Sequence, residues 1–331
     1  MHSHSGQFCP GHAKDQLEEI ITHAIGLGYR TMGLTEHMPR TSLEDLYPEE
    51  LDGDDGDAQA SLAELLPRHE AYMSEAERMQ AEYASRIHIL IGFEGEWIRG
   101  SDYGPLVKSL ASDPRVDYFV GSLHHVCGVP IDLDRATYED AVSKALALEV
   151  EQGKAGEQGG RDGKVDGGEK AVHSRYYDEQ FEMLQELKPM VVGHFDLVRL
   201  LSSDSGRDVS EVWKDDVWEK MRRNLRFVVG YGGWLECNTS GLAKGMAEPY
   251  PARFIAEEYI KLGGKFTFSD DSHGIGKVAA RYRDGLDYLE SLGVGSVWTL
   301  EREPHPGVEG EEKSVLREKE VTLEEFRKSL K

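Results

Sequence analysis

Cysteine is scarce in this chain of 331 residues: Cys9, Cys127 and Cys237 stand alone, odd in number and without a C-x-x-C pair. That pattern excludes a disulfide scaffold and a thiolate zinc site, and it makes a reduced cytoplasm the expected compartment. No run of about 18 apolar residues occurs, nor a basic-plus-apolar leader, so neither a membrane span nor a secretion signal is expected. Basic charge is in deficit: 38 Lys and Arg against 61 Asp and Glu give a formal net charge of -23. A broad nucleic-acid or anionic-membrane surface needs a basic footprint, so neither partner is expected. Glycine-rich phosphate loops are missing too, since neither G-x-G-x-x-G nor G-x-x-x-x-G-K occurs. That absence weakens an open nucleotide-binding sheet.

What is present is a regular alternation. Hydrophobic residues at 39% suffice for a sizeable core, and a mean hydropathy of -0.52 points to polar insertions. Amphipathic helices are predicted at about 15–25, 62–85, 105–110, 136–150, 174–187, 210–224, 251–262 and 282–291. Short apolar strands fall between them at about 30–35, 87–93, 116–120, 190–192, 227–235, 265–268 and 296–300. Thr322-Leu323-Glu324-Glu325 is a capping box that opens a final helix. Two polar stretches interrupt the pattern. Residues 42–60, with Asp52-Gly53-Asp54-Asp55-Gly56-Asp57 at their centre, read as an exposed acidic loop without calcium-loop spacing. Residues 151–169, rich in glycine and charge, read as a disordered insertion.

Counting His2-Ser3-His4 as the end of a truncated first strand gives seven strand–helix units. Such alternation implies parallel strands with right-handed crossovers. A closed α/β barrel of seven strands, one domain over residues 1–331, is preferred to an open sheet.

The ligand-type side chains fall at the carboxyl ends of those strands, where α/β barrels assemble their sites. His37, Glu94, His124, His194, Glu236 and Asp271 with His273 each follow a different predicted strand. Of 13 histidines, those at 2, 4, 12, 37, 124, 125, 194 and 273 gather there, which chance does not readily produce. Residues i and i+2 of an extended chain share a face, so His2 converges with His4 and Asp271 with His273. His124 and His125 cannot both face inward, and His124 is the favoured ligand. Glu96 shares the face of Glu94 in a supporting position. So many imidazoles and carboxylates exceed the needs of one ion, and two or three divalent transition metals are expected, with Glu94 bridging. Hydrolysis is their natural chemistry, because adjacent metals acidify water and clamp the oxygens of a phosphoryl displacement.

The motifs His2-Ser3-His4, Thr35-Glu36-His37, Gly92-Phe93-Glu94, Gly121-Ser122-Leu123-His124, Gly193-His194 and Asp271-Ser272-His273 resemble those of the polymerase and histidinol phosphatase (PHP) family, in its order and over nearly the whole chain. Within that family, the stretches 193–199, 236–242 and 248–251 are similar to the monofunctional histidinol-phosphatases. The resemblance implies a distorted, TIM-like barrel of seven strands with three metals (zinc, manganese or iron) at the carboxyl rim. It implies that His2, His4, Glu94 and Asp271 hold one metal, Glu94, His124 and His194 a second, and His12, His37 and His273 a third. Glu94, Asp271 and His37 would stand at the reacting centre. The implied reaction is hydrolysis of L-histidinol phosphate to L-histidinol and phosphate, in histidine biosynthesis. Two departures stand out: Cys9 and Pro10 between His4 and His12, and Glu36 where the family often has Asp.

A phosphate also needs cationic donors. Arg199, beyond the His194 strand end, is the first candidate, followed by Lys244 and Arg253. Competing readings are another phosphoesterase of the same family, such as a nuclease, and a barrel amidohydrolase. The charge of -23 counts against the first. The lack of a strand-end lysine counts against the second.

Overall fold

A computed structural model describes residues 1–51, 57–153, 161–304 and 314–331. The chain opens with β1 (Ser3–His4), α1 (Leu17–Gly26), β2 (Thr31–Leu34), α2 (Ala58–Tyr83), β3 (His88–Glu96), α3 (Gly100–Ala111) and β4 (Tyr118–Ser122). A small antiparallel hairpin, β5 (His125–Val126) with β6 (Val129–Pro130), leads into the helices α4 (Arg135–Glu151) and α5 (Arg161–Leu187). Then come β7 (Val191–Val192), α6 (Val209–Val212), α7 (Glu219–Tyr231), β8 (Trp234–Asn238), α8 (Ser240–Ala243), α9 (Arg253–Lys261), β9 (Lys265–Ser269) and β10 (Ser272–His273). The last elements are α10 (Tyr282–Ser291), β11 (Ser296–Pro304), β12 (Ser314–Thr322) and α11 (Leu323–Ser329).

Six strands in the order β2-β3-β4-β7-β8-β9 form one curled, all-parallel half-barrel sheet. Helices provide the crossovers that parallel pairing requires. On the concave face Leu90, Tyr118, Val120, Val191 and Trp234 bury against one another and against Leu300 of β11. On the convex face α1 presents Leu17, Ile20, Ile21 and Ala24, and α2 presents Tyr72, Met73, Ala76 and Met79, to β2 and β3. Those spacings of three and four put one helical stripe against the sheet. Asp57 and Asp134 cap α2 and α4, and Thr322 with Glu325 caps α11 reciprocally, as its sequence motif requires. Among the described residues no helix is long and apolar enough to cross a membrane.

The structure differs from the sequence expectation at five places. The seventh strand is not part of the six-stranded sheet. β1 has two residues and pairs with β10, Ser3 opposite Ser272 and His4 opposite His273. It touches the other edge too, where the Thr35 amide donates to the Ser3 carbonyl at 3.1 Å. Such a short segment carries too few ladder bonds to be told from a loop by pattern.

The stretch 151–169 is not simply an insertion. α4 runs to Glu151, residues 154–160 lie outside the described ones, and α5 is helical from Arg161. Within α5, buried Glu169 accepts from the Ser203 amide at 2.9 Å, a polar anchor that leaves no apolar signature. The acidic stretch 42–60 is structured before Asp52, with short 3-10 turns at Leu43–Asp45 and Pro48–Glu50. Asp45 is buried, bonded by the Tyr103 hydroxyl at 2.7 Å and by the Arg99 guanidinium. The centre of that loop, residues 52–56, lies outside the described residues.

Residues 227–231 are helix rather than strand. Met221, Leu225 and Val228 form a buried helical stripe, and the chain turns only at Gly232, whose φ of +84° suits glycine. The carboxyl-terminal tail adds β12, paired antiparallel with β11 from Ser296 opposite Thr322. Its many charged residues hide the strand in the sequence.

His173 of α5 is buried against Trp213, their ring centres 5.2 Å apart. Burial holds its imidazole down to about 3, with Arg207 and Arg199 pushing the same way, so the folded chain carries it neutral. The stability it contributes is complete above its free value of 6.5 and is lost as pH falls from there toward 3. Replacing His173 with Leu should therefore flatten the acid limb of a plot of denaturation midpoint against pH. An unchanged limb would mean that other groups cause the acid loss.

Candidate metal centre

The extended segment that runs into β1 aims His2 and His4 at one point because alternate residues share a face. The other strand ends close on the same point. His37 follows β2 and bridges to Glu94, Glu94 and Glu96 end β3, His124 follows β4, His194 follows β7, and Asp271 with His273 follow β9. Backbone geometry helps at two of them. Asp271 takes φ +49° and His194 φ +20°, left-handed values that non-glycine residues adopt mainly where surrounding contacts enforce them. At Gly193 a Cβ would lie 2.4 Å from Ser122 Oγ, so only glycine lets the His194 backbone approach β4 this closely.

Three triads result, each with ligand atoms within 4.8 Å of one another: His4, His37 and His273; His2, His4 and Glu94; Glu94, His124 and His194. They are linked, since His4 and Glu94 each belong to two. Glu94 has the Nε2 atoms of His194 at 3.1 Å, His2 at 3.3 Å and both His4 and His124 at 3.5 Å, with His37 Nδ1 at 3.0 Å. Asp271 Oδ1 stands 3.3 Å from His4 Nε2 and 3.6 Å from His2 Nε2.

Partners on the far side of the rings set their orientation. His2 Nδ1 donates to Glu236 at 3.1 Å, and Glu236 in turn accepts from the His194 amide at 2.6 Å, Asn238 Nδ2 at 2.7 Å and Ser269 Oγ at 2.7 Å. His273 Nδ1 donates to the Asp271 carbonyl at 2.8 Å. Both contacts turn Nε2 inward with its lone pair free, the tautomer a metal ligand needs. Glu96 binds Arg40 at 2.6 Å, His124 Nδ1 at 3.2 Å and His37 Nδ1 at 3.3 Å, which makes it the supporting carboxylate expected from its spacing.

Burial raises a carboxyl pKa, yet Glu94 is held well below the usual range by the imidazoles of His2, His124 and His37. Burial and the neighbouring His37 push His4 down to about 3, leaving a neutral, nucleophilic ring. The inward atoms His2 Nε2, His4 Nε2, His37 Nε2 and His273 Nε2 are buried and have no hydrogen-bond partner. Buried nitrogens without partners are costly unless something else meets their lone pairs. Imidazole nitrogens and carboxylate oxygens converging at this spacing suit a borderline divalent cation such as zinc.

A cavity of about 280 Å³ opens onto the cluster, lined by His12, His37, Glu94, His124, His194, Asp271 and His273. His12 sits at its mouth, with ring centres 4.5 Å from His273 and 5.0 Å from His37, and its Nδ1 is 2.9 Å from Glu49. It is half-exposed and outside the three triads, in which His4 joins His37 and His273. Lys244 lines the cavity. Arg253 does not; it donates to Ser291 Oγ at 2.6 Å and pairs with Glu248 and Glu257.

Arg199 is in another role altogether. It is buried, bonded to Asp196 at 2.6 Å and to the carbonyls of Ser205, Glu248 and Pro249, and it stacks 5.2 Å over Tyr250. Its donors are spent on holding loops together, which sequence position beside His194 does not reveal. Arg40, Tyr47, Asp132 and Lys277 also line the cavity. Sequence reasoning missed them because they come from loops, where neither periodicity nor a motif marks direction.

The PHP-domain model matches residues 1–240. A probable histidinol-phosphatase of Schizosaccharomyces pombe is 37% identical over 305 residues, covering 92% of this chain and 89% of the relative. The histidinol-phosphatase of Saccharomyces cerevisiae is 30% identical over 316 residues, with 87% of each chain covered. Among solved structures, the histidinol phosphate phosphatase of Lactococcus lactis, in complex with zinc, L-histidinol and phosphate, superposes with a TM-score of 0.60 at 18% identity, over 90% of this chain and 94% of the other. At that identity the likeness speaks for the fold.

Changing Arg199 to Ala leaves Asp196 buried without its cation. Stability should fall by roughly 3–5 kcal/mol, read as a lower denaturant midpoint. An unchanged midpoint would return Arg199 to the candidate ligand-binding cations.

Proposed function

Because the chain belongs to the PHP-domain family, we propose that it is a metal-dependent histidinol-phosphatase, hydrolysing L-histidinol phosphate to L-histidinol and phosphate. The observation that carries the proposal is the set of three linked triads, imidazoles joined through His4 and the Glu94 carboxylate, at the floor of one cavity. Relatives named histidinol-phosphatases that align over most of the chain support the substrate.

Three divalent cations, zinc, manganese or iron, are assigned to the centre. His2, His4, Glu94 and Asp271 would hold the first, and Glu94, His124 and His194 the second. His37 and His273, with His4 or His12 as the remaining ligand, would hold the third. When bound, such ions supply Lewis acidity to the phosphoryl group and acidify water. The chain contributes position and charge balance. Glu94, Asp271 and His37 form the reacting centre, since all three line the cavity. Glu96 and Glu236 fix the rings that surround it. The cations Lys244 and Lys277 at the cavity wall are assigned to the phosphate oxygens, with Arg40 behind them, neutralised by Glu96 and Glu50. β1 is the seventh strand in this reading, joining the two edges of the half-barrel through Ser272 and Thr35. A cytoplasmic enzyme is proposed, with its three cysteines free.

The test compares phosphate release from L-histidinol phosphate with release from a 3′-phosphorylated oligonucleotide, before and after dialysis against a chelator. The expected results are three transition metals per chain by elemental analysis, turnover of L-histidinol phosphate that chelation abolishes, and recovery on adding zinc or manganese. Faster turnover of the oligonucleotide would overturn the substrate, and one metal per chain would overturn the trinuclear centre. Changing Glu236 to Gln should weaken metal affinity roughly 10- to 100-fold, because the ring partner of His2 loses its charge. Full metal content at limiting metal would remove Glu236 from that role.

A further inference from the structure

We infer that Asp132 recognises the substrate's ammonium group and so sets specificity, an inference that rests on the histidinol-phosphatase reading. Six carboxylates line the cavity and could face a cation, and five are already engaged. Glu94 and Asp271 face the imidazole cluster. Glu36 accepts from the Ser5 amide at 2.9 Å and from its hydroxyl at 2.5 Å. Glu49 holds His12, and Glu50 holds Arg40 and the Tyr47 amide. Asp132 lines the same cavity with no hydrogen bond or ion pair among the described residues, and its Oδ1 is shielded from solvent.

Its placement fits the substrate's geometry. The neighbouring Ile131 amide donates to the His124 carbonyl at 2.9 Å, which ties this loop to a residue of the centre. In L-histidinol phosphate the ammonium is borne by the carbon next to the CH2–O–P group, so it must lie within a few bonds of the reacting phosphorus. A carboxylate beside His124, rather than one at the distant rim, meets that requirement. Leu133 and Leu197 line the same cavity, and an apolar surround strengthens a charge pair. Lys244 and Lys277 serve the opposite charge of the same molecule, so the cavity is polarised to match a zwitterionic ester.

The experiment measures kcat/KM on L-histidinol phosphate and on its deamino analogue, 3-(imidazol-4-yl)propyl phosphate, for the unaltered protein and for Asp132→Asn and Asp132→Glu, with metal content checked in each. The preference for the amine-bearing ester should fall roughly 10- to 100-fold in Asp132→Asn, mainly through KM, the range of a charged hydrogen bond. It should largely survive in Asp132→Glu. An unchanged preference in Asp132→Asn, whether both rates fall or neither does, overturns the assignment while leaving the histidinol-phosphatase reading standing. Failure of the unaltered, metal-replete protein to hydrolyse L-histidinol phosphate overturns the underlying function instead.

Discussion

The Glu94 carboxylate is the point on which the structure turns. It is buried at the end of β3, and imidazoles from His2, His4, His37, His124 and His194 stand within 3.5 Å of its oxygens. An ionised carboxylate so far from solvent is tolerable only with compensating charge or strong donors. The imidazoles supply that compensation, and four separate segments must be brought to the end of β3 to deliver them. The parallel half-barrel satisfies this demand by ending every strand at the same rim, so the sheet's topology and the site's electrostatics impose one common geometry.

A layer of fixed partners keeps those rings from rearranging. Glu236 joins His2, the His194 amide, Asn238 and Ser269, and thereby couples β1 to β7, β8 and β9. Glu36 accepts from the amide and hydroxyl of Ser5 and ties the chain after β1 to the end of β2. The loop with Cys9 and Pro10 turns tightly, with the Cys9 amide on the Ser5 carbonyl and the Ala13 amide on the Cys9 carbonyl. That turn brings His12 to the cavity mouth. Glu36 and the 5–13 turn thus both shape the surroundings of the centre.

The same charge logic extends outward into the cavity. Its floor is acidic and imidazole-rich, its wall carries Lys244 and Lys277, and Asp132 stands opposite them in chemical character. A chain with a formal charge of -23 still presents local cations at the cavity wall. Net charge describes the far field, while binding depends on the few groups lining the cavity.

The gathering of imidazoles and carboxylates at strand ends was legible in the sequence because periodicity assigns both an element and a face: His2 with His4 and Glu94 with Glu96 follow from the two-residue repeat of a strand. The α/β class and most helices were legible for the same reason. The grouping of His4 with His37 and His273, the spent guanidinium of Arg199 and the engagement of Arg253 by Ser291 and two glutamates were decided only by the tertiary structure. So were the order of the six strands, the pairing of β1 with β10, the polar start of α5 and the β11–β12 hairpin. Side-chain partners hundreds of residues apart, such as His2 and Glu236, leave no local pattern. Sequence periodicity reports which face a residue occupies; which groups meet across that face is set by how the strands curl and where the loops return.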